Sequence, residues 1–175
     1  MDSAFDTSSW SVPEMNFEEL LNLARPYLNK NYLGVAHTCR VFEAARENFR
    51  VPPELQELTF SSIILHDIGG GSIKDQYKKG PKIATSLLKQ MGCKQSFIDE
   101  VCDLKRTHHD HPSNPSLPFQ VLYDSDKLAM FSPEEFPYYN SKADFDWYKI
   151  VNLIYSEHIR QIAKEILKQR QNELG

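Results

Sequence analysis

Apolar side chains recur at intervals of three and four residues along most of this chain from residue 16 onward. Such spacing places them on one face of an α-helix, and that face is expected to be buried. No run alternates between apolar and polar residues as a half-buried strand does. The pattern predicts helices over residues 16–26, 33–45, 53–65, 79–91 and 97–107, another around Asp124 and Asp126, and a last one over 144–174. An all-α fold follows, a single compact bundle with a long C-terminal helix.

Prolines and glycines set the predicted helix ends. Pro26 is expected to kink or end the first helix, because a proline inside a helix lacks the amide hydrogen and clashes with the preceding turn. Pro53 suits the first turn of the third helix, and Gly92 suits the end of the fourth. The fourth helix itself is predicted to start at residues 79–81, which read Lys-Gly-Pro.

The composition is that of an ordinary globular chain, with 41% of its 175 residues hydrophobic and 25% charged. One domain is expected at this length, and we predict it over residues 16–175, after a polar N-terminal arm over residues 1–15 that carries Trp10. The net charge of −4 argues against broad contact with a nucleic acid polymer, which needs a basic face. No segment approaches 18 apolar residues and the N-terminus does not resemble a signal peptide, so we predict no membrane partner and a cytoplasmic location.

The helix predicted over residues 53–65 is followed by a histidine and an aspartate. His66 and Asp67 come directly after the apolar run Ile63-Ile64-Leu65, so both are expected at the buried end of a helix. Buried polar groups need a partner that satisfies them. A divalent cation would satisfy an imidazole and a carboxylate together.

Two further positions complete a set of four potential ligands. His37 is predicted to face the core from the second helix, and Asp126 lies among hydrophobic residues downstream. In the order His37, His66-Asp67, Asp126, the chain resembles the HD-domain superfamily of metal-dependent phosphohydrolases over about residues 33–131. The resemblance implies the helical HD-domain fold and a metal held by these four residues.

The donors are nitrogen and oxygen atoms without a thiolate. Such a set suits Mn, Fe, Co, Ni or Zn, and suits Mg less well. One ion per chain is favoured, with two as the alternative. Because a bound metal acidifies water and polarises a phosphoryl group, we predict hydrolysis of a small phosphate ester, most simply a nucleotide, through a metal-bound water. Asp67 then belongs to the catalytic group as well as to the metal, and a small phosphorylated substrate is the predicted partner.

Three more residues are candidates around the metal. Asp75 is the candidate general acid or base, since the resemblance implies such carboxylates after the His-Asp pair, and its alternative is an exposed loop charge. Lys127 is predicted to act on the substrate phosphate in binding and catalysis, the alternative being an ion pair with Asp124. Arg40 is predicted to bind the same anion, with a solvated helix face as the alternative.

Histidines are dense again at residues 108–111. His108 and His109 are predicted to contact the substrate, or alternatively a second metal. Binuclear members of the superfamily, including a diiron oxygenase branch, add one histidine from the fourth-helix region and one from the fifth, and the former region here offers Gln76 but no histidine. A diiron oxygenase and a non-catalytic nucleotide-sensing module stay open as alternatives. The last helix packs on its own domain or against a second copy, so a homodimer is an open alternative as well.

Overall fold

The structure, a computed structural model, describes residues 15–30 and 33–175. The predicted arm with Trp10 lies outside the described residues, except for Met15. The prediction of an all-α fold with a long C-terminal helix is confirmed, because the described residues form helices and no strand. None of these helices is both long and apolar enough to cross a lipid bilayer. The order is α1 (Phe17–Leu28), α2 (Gly34–Asn48), α3 (Pro53–Leu65), α4 (Ile73–Gln90), α5 (Gln95–Thr107), α6 (Leu117–Ala129), α7 (Phe136–Asn140), α8 (Trp147–Leu153) and α9 (Glu157–Leu174).

The fourth helix begins earlier than the sequence pattern predicts. It starts at Ile73, because the hydroxyl oxygen of Ser72 accepts a hydrogen bond from the backbone N–H of Asp75 at 3.1 Å and so caps the first turn. Pro81 therefore lies inside α4. Pro26 likewise lies inside α1, which continues to Leu28. Pro26 therefore does not end α1, and Pro81 does not begin α4.

The last predicted helix is in fact two helices. α8 and α9 are separated by residues 154–156, because the carboxylate of Asp124 in α6 accepts hydrogen bonds from the backbone N–H groups of Tyr155 and Ser156 at 2.8 and 2.9 Å. These two amides are withdrawn from a continuous helix, and the Ser156 side chain caps α9 instead. Asp124 is fully buried, and burial raises the pKa of its carboxyl group above the ordinary value.

The apolar helix faces meet in two hydrophobic clusters. The larger cluster contains side chains from α1, α2, α3, α4, α5 and α6. Within it, the tilted rings of Phe42 and Phe60 pack with their centroids 4.8 Å apart. The smaller cluster packs Leu128 of α6, Phe131 and Trp147 with the last helices. α6 contributes to both clusters, so Asp126 lies on the helix that joins them.

Candidate metal centre

Four polar side chains meet where α2 packs against α6. His37 comes from α2, His66 and Asp67 directly follow α3, and Asp126 comes from α6. The Nε2 atom of His37 lies 3.0 Å from Oδ1 of Asp126 and 3.4 Å from Oδ2 of Asp67. The Nε2 atom of His66 lies 3.4 Å from each of the same two oxygens. The fold therefore brings together all four residues that the resemblance implies as metal ligands.

Hydrogen bonds at the Nδ1 atoms orient the imidazole rings. Nδ1 of His66 lies 2.6 Å from the backbone carbonyl oxygen of Ile63, and Nδ1 of His37 lies 2.9 Å from the carboxylate of Glu135. Both partners are acceptors, so each Nδ1 carries the proton and donates it. The Nε2 lone pairs are then directed at the two aspartates, as ligand histidines are arranged around a metal.

A cation fits this arrangement better than protons do. The Nε2 atoms of His37 and His66 lie 3.3 Å apart, so protons on both would place two donors against each other. If both rings were neutral, their Nε2 lone pairs would face the carboxylate oxygens, and two acceptors would repel each other. One cation held between the imidazoles and the carboxylates removes both conflicts.

Without a metal, the two histidines hold protons more tightly than usual. Burial alone would lower the pKa of His37, but hydrogen bonds to Asp126 and Glu135 and the charges of Asp126 and Asp67 raise it well above its ordinary value. The pKa of His66 is also raised, because the charges of Asp67 and Asp126 outweigh its burial. Protons thus occupy the place of a cation in the metal-free protein.

The two aspartates shift in the opposite direction. Burial would raise the pKa of Asp67, but the charges of His66 and His37 and the nearby imidazole of His108 lower it. The pKa of Asp126 is lowered far below its ordinary range despite burial, mainly by hydrogen bonds from His37 and His66. Both carboxylates are therefore ionised at neutral pH, as metal ligands must be.

A second potential ligand group lies on the other side of Asp67. Oδ1 of Asp67 lies 3.7 Å from Nε2 of His108, and His109 completes the group. Nδ1 of His108 donates to the backbone carbonyl oxygen of Lys105 at 2.5 Å, which leaves its buried Nε2 without a hydrogen-bond partner among the described residues. An orphaned imidazole nitrogen beside a carboxylate is a position that a second cation could use.

Gln76 connects α4 to this second group. Its amide oxygen accepts a hydrogen bond from Nε2 of His109 at 3.1 Å, and its amide nitrogen donates to the backbone carbonyl of Gly70 at 3.2 Å. Burial, followed by the charge of His108, lowers the pKa of His109 to about 4. His109 is therefore a neutral ring at physiological pH.

A buried lysine lies beneath the His-Asp pair, and sequence reasoning missed it. The ammonium group of Lys105 donates to the backbone carbonyl oxygens of His66 and Gln76. Gly80 provides the room, because a Cβ at that position would lie 2.3 Å from both Cε and Nζ of the lysine. Ile98, Val101 and Lys105 fall on one face of α5, so a lysine on an otherwise apolar face was the signal available in the sequence.

Glu135 is the second functional residue that sequence reasoning missed. It is fully buried, accepts hydrogen bonds from His37 and from Nε of Arg40, and lies just before α7. The residue belongs to none of the motifs in the chain. Its proximity to His37 arises only from the packing of α2 against the segment after α6.

Two further candidate residues, Asp75 and Lys127, lie on α4 and α6. Asp75 is half-exposed in the first turn of α4, where its carboxylate accepts from Ser72 at 3.0 Å and pairs with Lys79 at 3.3 Å. The ammonium of Lys127 lies 3.6 Å from Oδ2 of Asp126 and 5.0 Å from the ring centroid of Tyr123. Lys127 therefore pairs with Asp126 and not with Asp124, the partner in the alternative predicted from the sequence. The carboxylate of Asp124 instead accepts hydrogen bonds from the backbone at the start of α9.

Comparison with known proteins assigns the chain to a family. The HD-domain family profile matches residues 34–130, more than half of the chain. The chain therefore belongs to the HD-domain superfamily of metal-dependent phosphohydrolases. Among solved structures, it is similar to a predicted HD superfamily hydrolase from an uncultured Thermotogales bacterium, with 23% sequence identity, a TM-score of 0.59 and coverage of 90% of this chain and 92% of that one. No curated protein matches the chain.

Proposed function

We propose that this protein is a metal-dependent phosphohydrolase that acts on a small phosphate ester, most simply a nucleotide. The observation that carries the proposal is the convergence of the Nε2 atoms of His37 and His66 on the ionised carboxylates of Asp67 and Asp126. Membership of the HD-domain family supports the same reaction class.

His37, His66, Asp67 and Asp126 would hold the metal. When bound, a divalent cation would supply Lewis acidity, lowering the pKa of water and polarising a phosphoryl oxygen. The mixed nitrogen and oxygen donors favour Mn, Fe, Co, Ni or Zn over Mg. The site would thus provide at neutral pH both a nucleophile and charge compensation for the phosphate.

The charge of the site suits an anionic substrate. Two carboxylates, Asp67 and Asp126, would neutralise one divalent cation, and the side chains of Lys127 and Lys105 then leave the surroundings positive. Lys127 is partly exposed, with 16% of its side chain accessible, so its ammonium can exchange Asp126 for a substrate phosphate. His108 and His109 are proposed to contact the same substrate.

Proton transfer requires a group that is not a ligand. Asp75 is the proposed general acid or base, and its position next to Gly70 keeps it close to the turn after the His-Asp pair. Its pKa is lowered by hydrogen bonds from Ser72 and Lys79, which favours the base over the acid. The ionised carboxylate would orient or deprotonate the attacking water.

A binuclear centre is the second candidate, and one specific observation favours it. The group Asp67, His108 and His109 places its potential ligand atoms within 4.8 Å of one another. With iron in both positions, the site would resemble that of the diiron oxygenase branch. Gln76 lies in the α4 region where that branch has a histidine, and it offers an amide instead, so one metal is proposed as the functional state.

Phosphate release tests the proposal directly. Metal-stripped protein is reloaded with Mn, Fe, Co, Ni, Zn or Mg and assayed on nucleotides and sugar phosphates, with Asp67→Ala as the inactive control and His158→Ala, exposed on α9, as the neutral one. Turnover that is lost only in the Asp67 variant would support the hydrolase and define its substrate class. No release with any metal would overturn it, and two irons per chain with oxygen-dependent turnover would establish the oxygenase.

A further inference from the structure

A buried carboxylate outside the ligand set contacts the first metal ligand of the chain. Oε1 and Oε2 of Glu135 lie 2.9 and 3.0 Å from Nδ1 of His37. Oε2 also lies 2.6 Å from Nε of Arg40. Glu135 is completely buried, whereas 23% of the Arg40 side chain is exposed. The three residues thus form a chain of hydrogen bonds from the ligand histidine to the surface of α2.

We infer that Glu135 and Arg40 are positioning residues for His37 as a metal ligand. The inference rests on the metal site of the proposed function, and not on the reaction. Since a carboxylate can only accept, Glu135 holds the ring proton on Nδ1 and keeps the Nε2 lone pair directed at Asp67 and Asp126. Hydrogen bonding of this kind fixes the tautomer and ring orientation of a ligand histidine and increases its basicity.

Arg40 compensates the buried negative charge of Glu135. An unpaired charge in the interior is strongly destabilising, whereas a guanidinium at hydrogen-bond distance compensates it. Arg40 follows His37 by one turn of α2, so both residues reach Glu135 from the same helix. This gives Arg40 a role toward the metal ligand that differs from the substrate contact predicted from the sequence.

The Glu135→Gln substitution preserves the shape of the side chain. It therefore tests whether Glu135 positions His37 through its hydrogen bonds or only fills space in the core. If the amide oxygen accepts from His37, the amide nitrogen faces Nε of Arg40, and two donors oppose each other. If the amide is turned round, its nitrogen donates to Nδ1 of His37, and the ring proton must move to Nε2. That second tautomer blocks the lone pair that a metal needs.

Zinc affinity is the primary measurement, made by competition with a chromophoric chelator. Glu135→Gln and Arg40→Gln are each expected to weaken Zn²⁺ binding roughly 10- to 100-fold, the range found when outer-shell partners of metal ligands are changed. The matched controls are Glu43→Gln and Arg46→Gln, which break an arginine–glutamate pair on the same helix, with Nη2 and Oε2 2.7 Å apart. Both controls are expected to bind zinc like the wild type.

A spectroscopic readout tests the tautomer itself. In ¹⁵N–¹H spectra of the zinc-loaded wild type, His37 is expected to carry its proton on Nδ1. In Glu135→Gln, the Nδ1–H signal should be lost or should move strongly. Arg40→Gln provides an independent test should Glu135→Gln fail to fold, since Arg40 is partly exposed.

Three results would overturn the inference. The first is zinc affinity unchanged in both Glu135→Gln and Arg40→Gln. The second is an equal loss of affinity in the Glu43 and Arg46 controls, which would indicate general destabilisation of α2. The third is an Arg40→Gln variant that raises KM for a phosphate ester while kcat and zinc affinity stay unchanged, which would make Arg40 a substrate contact.

The inference and the proposed function fail in different ways. A wild-type protein that binds no zinc would overturn the metal site and this inference together. A protein that binds zinc through a Glu135-dependent His37 but releases no phosphate from any ester would overturn only the hydrolase.

Discussion

The ammonium group of Lys105 lies 3.2 Å from the backbone carbonyl oxygen of His66, the residue directly after α3. Its other acceptor is the carbonyl of Gln76 in α4, at 3.4 Å. Lys105 thereby connects the backbone of a proposed metal ligand to α4. Because only 1% of the residue is exposed and both acceptors are neutral, the buried charge is poorly compensated. The buried ammonium group of Lys105 therefore destabilises the fold to an extent that depends on pH.

Stability is expected to rise in alkaline solution through Lys105. Burial lowers the pKa of this ammonium from 10.5 to about 8, although the charge of Asp67 opposes the shift. Between these two pH values the unfolded chain keeps the proton and the folded chain does not, so the free energy of unfolding rises with pH. The destabilisation by the buried ammonium group is fully present below about pH 8.

Urea denaturation of the metal-free protein from pH 7 to pH 10.5 measures this effect. The wild type is expected to gain about 3 kcal/mol relative to Lys105→Met, as a shift of this size implies. Parallel stability curves for the two proteins would contradict the prediction.

Gly80→Ala is expected to destabilise the fold around the His-Asp pair. The added Cβ would lie 2.3 Å from Nζ of Lys105 and 2.6 Å from the backbone oxygen of Ile68, and the backbone oxygen cannot move away as a flexible side chain can. Overpacking of this kind costs roughly 1–3 kcal/mol. Gly71→Ala is the matched control, since a Cβ there meets nothing within 4 Å. Equal denaturation midpoints for the two variants would show that α4 does not approach Lys105 so closely.

Metal binding is expected to release protons at pH 7. The pKa values of His37 and His66 are raised in the metal-free protein, and a metal requires both rings with a free Nε2. Zinc affinity should therefore fall as the pH is lowered from 8 to 6. In the metal-free protein the same shifts stabilise the fold below the ordinary histidine pKa, and this contribution is lost as the pH rises through the folded pKa values.

Titration calorimetry in two buffers with different ionisation enthalpies counts the protons released. Buffer-independent binding enthalpies would mean that no proton is displaced, and that the histidines do not bind the ion through these nitrogens.

Asp67→Ala is expected to abolish metal binding, with a loss of more than about 100-fold, beyond what outer-shell changes cost. Asp67 faces both potential ligand groups, through Oδ2 toward His37 and His66 and through Oδ1 toward His108. Inductively coupled plasma analysis of the reloaded variants checks this. His158→Ala should retain the wild-type metal content, and full occupancy in the Asp67 variant would show that the metal binds elsewhere.

His108→Ala distinguishes one metal from two. If the functional centre is mononuclear, this variant should keep its single equivalent of metal, because His37, His66 and Asp126 form a ligand group without it. If the centre is binuclear, the metal content should fall from two equivalents to one. Metal analysis of the wild type and the variant, at equal protein concentration, gives the answer.

The sequence by itself determined the helical fold and the set of four ligand candidates. Helical periodicity and an apolar run that ends in His66 and Asp67 are properties of neighbouring residues, so they can be read without knowing the packing. The order of His37, the His-Asp pair and Asp126 was sufficient to indicate the family. Helix ends were predicted less reliably. The helix α4 begins at Ile73, where Ser72 caps it, and not at the predicted residues 79–81.

Only the tertiary structure decided which distant groups support the site. Glu135 is 98 residues from His37, and Asp124 divides the last helical segment from 31 residues away. Such contacts depend on how α2, α6 and α9 pack, which is set by the shapes of the buried side chains and not by any local pattern. The buried Lys105 likewise depends on the close approach of α4 at Gly80. The polar groups around the ligands could be assigned only after packing had placed them, because their partners are far apart in the chain.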